Sequence, residues 1–509
     1  MDLRGKVGQR LVFGFPGTSV PADFAAMVRE YKIGNVILFR YNIESMEQLA
    51  RLCGEIQTLV RGATGHPAFI TIDQEGGMVT RLPWDAVNVP GSMALAATGD
   101  AENAALAAEI TARQLRGAGV NFNLAPDLDV NSNPMNPVIG VRSFGDAPQR
   151  VAAFGAAAVR GYERGGILCC GKHFPGHGDT AVDSHLGLPC IDKSLAELES
   201  CELIPFRAAV AAGIPAVMSS HILFPQIEPR GVPATMSRTI MHDILRGKLG
   251  FDGLVLSDCM VMDAIRQHYG TAQGAAAAMR AGVDMVFVSS NAQLQRESAK
   301  AAYAAAASGE IDGAELDESV QRILRARERW AFANAEPSLA GRPEDFCAAA
   351  GLARSAVAAV RGKTVPAGKG TFFCGCADYR MTQASNADPE AKAFPEYMGE
   401  KFGARYAVCS KDPDEAEIRA LAAAADGAEN IVFSSCNAHL FRGQTALAAA
   451  LAQKGVPLTV AALRNPYDLP LMPENAALLA AFDYSRDSLA ALADVLSGGE
   501  CRGIMPVAL

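Results

Sequence analysis

The chain has 509 residues, a formal net charge of −9, 50% hydrophobic residues and 20% charged ones. That length exceeds what one core organises, so two domains are expected. Acids and bases are interspersed, and no apolar run reaches the ~20 residues of a membrane span, so neither nucleic acid nor a membrane is an expected partner. The opening residues, Met1 to Val7, carry no apolar signal-peptide core. The twelve cysteines are scattered, several of them inside apolar runs (Cys169, Cys170, Cys374, Cys376), as buried thiols of a reducing compartment would be. A cytoplasmic protein is expected.

Short β-rich runs alternate with longer helical patterns from the start. Runs at 10–14 and 35–39 flank a helical pattern over 22–31, and a third at 68–72 leads into Asp73-Gln-Glu-Gly-Gly77. The fourth, 120–124, leads to Ala125-Pro-Asp-Leu-Asp-Val130. The fifth, the compact apolar run 166–170, is followed by Gly171-Lys-His-Phe-Pro-Gly-His-Gly-Asp179 and then by Asp183-Ser-His185. Glycine and proline mark the stretch from Gly171 as a loop. Runs at 216–221, 253–258 and 284–288 complete the series, with helical patterns at 101–116, 148–164, 195–212 and 269–281 between them.

Strict strand–helix alternation implies parallel pairing beneath covering helices. Over residues 1–333 it fits a (β/α)8 TIM-like barrel, with a doubly wound open sheet as the competing topology. Asp73, Asp127, Lys172, His173, His221 and Asp258 each fall just past the C-terminal end of an expected strand. In a barrel those ends share one mouth, where such folds place their active sites, so the chemistry favours the barrel.

Residues 334–344 read as a linker rich in Ala, Pro and Gly. Beyond it, runs at 371–375, 406–409, 430–434 and 458–462, with a weaker fifth at 477–482, imply a smaller α/β three-layer sandwich domain over 345–509. No catalytic constellation appears there. His439 and Arg442 look exposed and are its candidates for reaching the barrel, a solvated loop being the plainer reading.

Lys172-His-x-Pro-Gly176 together with Asp183-Ser-His185 resembles the signature of the β-N-acetylglucosaminidases of glycoside hydrolase family 3. The resemblance covers residues 1–330 closely and the second domain in outline. It implies that Asp258, in Ser-Asp-x-x-x-Met262, is the catalytic nucleophile; spacing alone weighs that role evenly against a helix N-cap. It implies that His185, paired with Asp183, is the general acid and base. An imidazole has an ordinary pKa of about 6.5, and a carboxylate beside it stabilises its charged form. It implies that Asp73, Arg81, Arg142, Lys172 and His173 contact the N-acetylglucosamine unit, while Glu75 and the glycines beside it shape a turn. Met78 stands where the family often has arginine, and Cys259 where another small or acidic residue is common.

The rival for the histidine-rich loop is a metal site built from His173, His177, Asp179 and His185. Its spacing matches no common zinc pattern, so no metal or other cofactor is expected. The expected activity is retaining hydrolysis of terminal β-linked N-acetylglucosamine from short glycans such as cell-wall muropeptide fragments. A phosphorylase using the same site, or a β-glucosidase or β-xylosidase of the same family, is the alternative. The oligomeric state is not legible.

Overall fold

The computed structural model describes residues 1–181, 187–377 and 392–509. Eight parallel strands close into a barrel in chain order. They are β1 (Leu11–Phe13), β2 (Asn35–Leu38), β3 (Phe69–Ile72), β4 (Phe122–Asn123), β5 (Leu168–Phe174), β6 (Ala216–Ser219), β7 (Leu254–Cys259) and β8 (Met285–Val288). β8 pairs back onto β1, which excludes the open doubly wound sheet.

The strands are short and mostly apolar because both of their faces are covered. Alternate side chains point to opposite sides of a strand. In β2, Val36 and Leu38 join the layer beneath the helices, whereas Ile37 joins Phe69, Phe122, Leu168, Met218, Leu256 and Phe287 inside the barrel. The helix Gly313–Trp330 closes the floor. Its Ile323 enters the interior cluster. The buried Arg327 lies 5.2 Å from the ring of Phe69 and donates to Asn35 Oδ1 at 2.7 Å.

Two local expectations are corrected. The stretch from Gly171 is not loop throughout, because β5 runs on to Phe174, with Gly171 paired to Val217 and Phe174 to Ser219 across a register shift. Gly171 is required there by packing, since a Cβ would sit 2.5 Å from a methyl of Leu128 and 2.8 Å from one of Ile214. The expected helix over 195–212 is two helices, Leu195–Ser200 and Leu203–Ala211. Cys201 between them leaves helical geometry (φ −137°, ψ −83°), and the buried Glu202 turns in to meet Lys193 at 2.6 Å.

The second unit is a six-stranded sheet in the order β11-β10-β12-β13-β14-β9. It comprises β9 (Ala358–Arg361), β10 (Thr371–Cys376), β11 (Arg405–Cys409), β12 (Asn430–Ser435), β13 (Leu458–Ala462) and β14 (Ala477–Ala480). β9, absent from the sequence reading, is an antiparallel edge strand of four residues with only one of them buried, too little for a periodic signal. Before it, a turn at Pro337–Leu339 lies on the helix Glu102–Ala118, and the helix Pro343–Ala356 begins. Asp345 in that helix accepts from Arg113 at 2.6 and 3.1 Å. The second core also takes in barrel residues Met78, Val79, Met93, Ala94, Ala97 and Val141. No helix among the described residues is long and apolar enough to cross a membrane.

Candidate active site

The turn after β3 brings two of the expected residues together. Gly76 (φ +99°) and Gly77 (φ +54°) adopt left-handed conformations, and a Cβ on Gly76 would lie 2.8 Å from the carbonyl of Pro90. Glycine alone allows so tight a reversal. Gln74 Oε1 then accepts from the backbone N–H of Arg81 at 2.7 Å and of Leu82 at 3.1 Å, bringing the buried Arg81 to within 3.8 Å of Asp73.

Lys172 at the end of β5 donates to Asp73 Oδ1 at 2.8 Å and reaches Glu75 Oε1 at 2.7 Å. The same Glu75 oxygen accepts from Arg142 Nη2 at 2.8 Å, and Glu75 Oε2 accepts from Arg142 Nε at 2.9 Å. The two glycines shape the turn as expected, but Glu75 does more: it is the shared counter-ion of two cations. Burial alone would raise the Glu75 carboxyl, yet Arg142 and Lys172 outweigh it and hold the group far below the usual carboxylate range. Burial likewise opposes the Lys172 ammonium, and Asp73 and Glu75 raise it above its ordinary value. Glu75 and Lys172 thus stabilise each other's charged forms, in a frame that offers charged donors and acceptors to hydroxyl and amide groups.

His173 is oriented from β4's side. The chain after β4 runs beside the end of β5, with the Leu128 N–H donating to the Lys172 carbonyl at 2.6 Å. Asp129 Oδ2 lies 2.7 Å from His173 Nδ1, and Asp129 Oδ1 accepts from the backbone N–H groups of His173 at 3.2 Å and His177 at 2.6 Å. Asp127, two residues earlier, accepts from the Asp129 N–H and lies 3.6 Å from Arg142. Burial and then the charge of Asp129 raise Asp127 well above the usual range; Asp129, despite its burial, is held low by His173 and His177. Asp129 is the ion of the pair, because the donors converge on it. Burial, helped by His173, pushes His177 down to about 4.

Asp258 leaves the C-terminal end of β7, two strands round from β5, half-buried, with Oδ1 accepting from the Cys259 N–H at 2.7 Å. Cys259 is braced on both sides: its carbonyl lies 3.1 Å from His221 Nε2 and its sulfur 2.7 Å from Ser289 Oγ. His221 is in turn held 2.9 Å from Thr235 Oγ1. Asp183 and His185 lie outside the described residues.

Of the metal set considered from sequence, Asp179 pairs with Lys193 at 2.9 Å and His177 Nδ1 lies 2.9 Å from Thr180 Oγ1. Among the described residues the convergent acid–histidine group is a different one, Asp127, Asp129 and His173. Arg142 already supplies the positive charge beside it. Met78 is buried, and its sulfur lies 3.2 Å from Nη2 of Arg464, itself fully buried in the second domain. His439 is buried, not exposed, with Nδ1 2.7 Å from Asp468 Oδ1, whereas Arg442 is exposed at the start of the helix Arg442–Ala452.

Sequence reasoning passed over Glu75 as a counter-ion and Asp129 as the partner of His173. Asp129 carried a signal: Asp127 and Asp129, two apart in extended chain, share one face. Glu75 carried none, since only the closed barrel brings Lys172 and Arg142 to it.

A sequence model of the glycosyl hydrolase family 3 N-terminal domain matches residues 2–326. Beta-hexosaminidase A of Pseudoalteromonas piscicida is 33% identical over 370 residues, 68% of this chain and 62% of that protein; the chain thus spans about three fifths of that relative. A beta-hexosaminidase of Thiobacillus denitrificans is 36% identical over 293 residues, 56% of this chain and 80% of its own length. A solved glycoside hydrolase family 3 beta-N-acetylglucosaminidase from Paenibacillus sp. str. FPU-7 superposes with a TM-score of 0.93 at 36% identity, covering 100% of this chain and 99% of that one.

Proposed function

The chain belongs to glycosyl hydrolase family 3, and from that premise we propose that it is a retaining exo-β-N-acetylglucosaminidase. The reading places catalysis in residues 1–333, a linker at 334–344 and a second domain at 345–509. The observation that carries it is the ionic frame at the barrel mouth: Asp73, Arg81, Arg142, Lys172 and His173 converge there, and Asp258 ends a strand of the same barrel. Its relatives' names supply the sugar.

In this mechanism the Asp258 carboxylate attacks the anomeric carbon while His185 delivers a proton to the departing glycosidic oxygen. A glycosyl ester on Asp258 results. Water then attacks the same carbon, His185 takes its proton, and the ester breaks to return free Asp258. Asp183 orients His185 and stabilises its charged form. Asp73 and Lys172 hold sugar hydroxyls, while Arg81, Arg142 and His173 complete the pocket. The substrates are short glycans ending in N-acetylglucosamine, such as muropeptide fragments, met in the cytoplasm.

The test compares aryl β-N-acetylglucosaminide with aryl β-glucoside, with and without phosphate, in the parent enzyme and in Asp258→Asn and His185→Gly. Preference for the N-acetylated substrate and no phosphate dependence are expected. Asp258→Asn should fall by several orders of magnitude; retention of more than about a tenth of kcat/KM, a loss of only ~1.4 kcal/mol, excludes Asp258 as nucleophile. His185→Gly should lose far more on a disaccharide than on a dinitrophenyl glycoside, whose leaving group needs no proton. Glycosyl phosphate as the product would make the enzyme a phosphorylase instead.

A further inference from the structure

Arg142 sits on a stretch, residues 131–146, whose only regular structure is the three-residue turn Gly140–Arg142. A guanidinium that reads a sugar must be held to a fraction of an ångström, and neither a barrel strand nor a long helix holds this one. The second domain does. Asn131, fully buried, accepts the Gly140 N–H on Oδ1 at 3.0 Å and donates from Nδ2 to the Tyr467 hydroxyl at 2.9 Å. Gly140 (φ +46°) lies so close to the second domain that a Cβ would be 2.3 Å from Asn465 Oδ1. Val141, between Gly140 and Arg142, is part of the second-domain core.

The far end of the stretch is tied by the last residues of the chain. The Ala508 N–H donates to Asp146 Oδ2 at 2.7 Å, Arg150 donates to the Pro506 carbonyl, and Gly145 passes so close to that carbonyl that a Cβ would meet it at 2.4 Å. Arg142 is thus gripped from the barrel side by Glu75 and from behind by residues that follow the linker.

We propose that the second domain takes part in sugar recognition as the positioning frame of Arg142, with Tyr467 acting through Asn131 and Gly140. This rests on the reading of Arg142 as a contact for the N-acetylglucosamine unit. Tyr467 touches no sugar; it is a positioning residue. A domain packed there for stability alone would share these contacts but would leave affinity untouched when one hydroxyl is removed.

The test is a double-mutant cycle in the full-length protein with Tyr467→Phe, Arg142→Lys and the pair. KM and kcat are measured on aryl β-N-acetylglucosaminide, and Kd for N-acetylglucosamine by calorimetry. Tyr467→Phe removes one buried hydrogen bond and should raise KM and Kd roughly threefold to tenfold, with kcat changed less than about twofold. Arg142→Lys should raise them further, and the double variant should be no worse than Arg142→Lys alone, since both act through one group. Unchanged KM in Tyr467→Phe, or penalties that multiply in the double variant, would overturn the inference. If Arg142→Lys itself leaves KM and Kd unchanged, Arg142 is not a sugar contact, and the site reading fails with the inference. Asn131→Ser cuts the same link from the barrel side and carries the identical prediction should Tyr467→Phe not fold.

Discussion

Asp127 and Asp129 are the same residue type two positions apart, both fully buried, yet their surroundings push their carboxyls in opposite directions, Asp127 up and Asp129 down. Asp129 gathers two backbone N–H groups and the imidazole of His173, whereas Asp127 Oδ2 has no hydrogen-bond donor among the described residues, with Arg142 3.6 Å away. A buried carboxyl with one backbone donor and a carboxylate beside it is pushed toward its protonated form, and one on which several donors converge is pushed toward its charged form. Asp127→Asn, which mimics the protonated acid, should therefore keep kcat/KM within about threefold, a change under ~0.7 kcal/mol. Asp129→Asn removes the charge that orients His173 and should cost at least about tenfold. Steady-state kinetics on aryl β-N-acetylglucosaminide decide the matter, and equal losses in the two variants would show that both acids are ionised.

The loops after β4 and β5 act as one element. Beyond the end of β5, Gly178 lies against the chain that follows β4, where a Cβ would fall 1.7 Å from the carbonyl of Val130. The Asn133 N–H donates to the Gly178 carbonyl at 3.3 Å, and Asn136 Nδ2 to the His177 carbonyl at 2.8 Å. Backbone faces backbone, so no side chain can move aside to admit a methyl. Gly178→Ala should destabilise the protein by about 1–3 kcal/mol or more and lower activity with it. Gly213→Ala tests positive φ (+84°) in open space, so it separates the cost of strain from the cost of collision. Melting temperatures for the two report this directly; a Gly178→Ala midpoint within about 1 °C of the parent would mean that the loops are not packed as described.

At the scale of the molecule, the two units share a core. Met78, Val79, Met93, Ala94, Ala97 and Val141 of the barrel share one core with Phe373, Val432, Phe433 and Leu469 of the second domain. Ile504 donates back to the Ala97 carbonyl at 2.8 Å. Domains that meet through small polar interfaces unfold independently, whereas a continuous apolar core couples them. Calorimetry of the full chain should show one cooperative transition. Met78→Arg, which sets a second guanidinium beside the buried Arg464, should lower its midpoint sharply, because an unpaired buried charge costs several kcal/mol. Two resolved transitions, only one of them moved by Met78→Arg, would show that the core is not shared.

Much of this molecule was written in local pattern. The short β-rich runs alternating with helical patterns located all eight barrel strands, and the polar residues that follow them pointed to the mouth, because strand ends are where a buried run must stop. The motif from Lys172 to His185 carried the family, which the matches bear out. Tertiary structure decided what depends on partners far apart in the chain. It extended β5 through Phe174, since backbone pairing with β6 outweighs the local preference of glycine and proline for loops. It buried His439 on Asp468 and made Glu75 the counter-ion of Lys172 and Arg142, residues roughly 100 and 70 positions away that only barrel closure unites. It also drew Tyr467 to Asn131 across 336 positions. Periodicity reports which face of an element is buried; the identity of what it is buried against is a property of the closed fold.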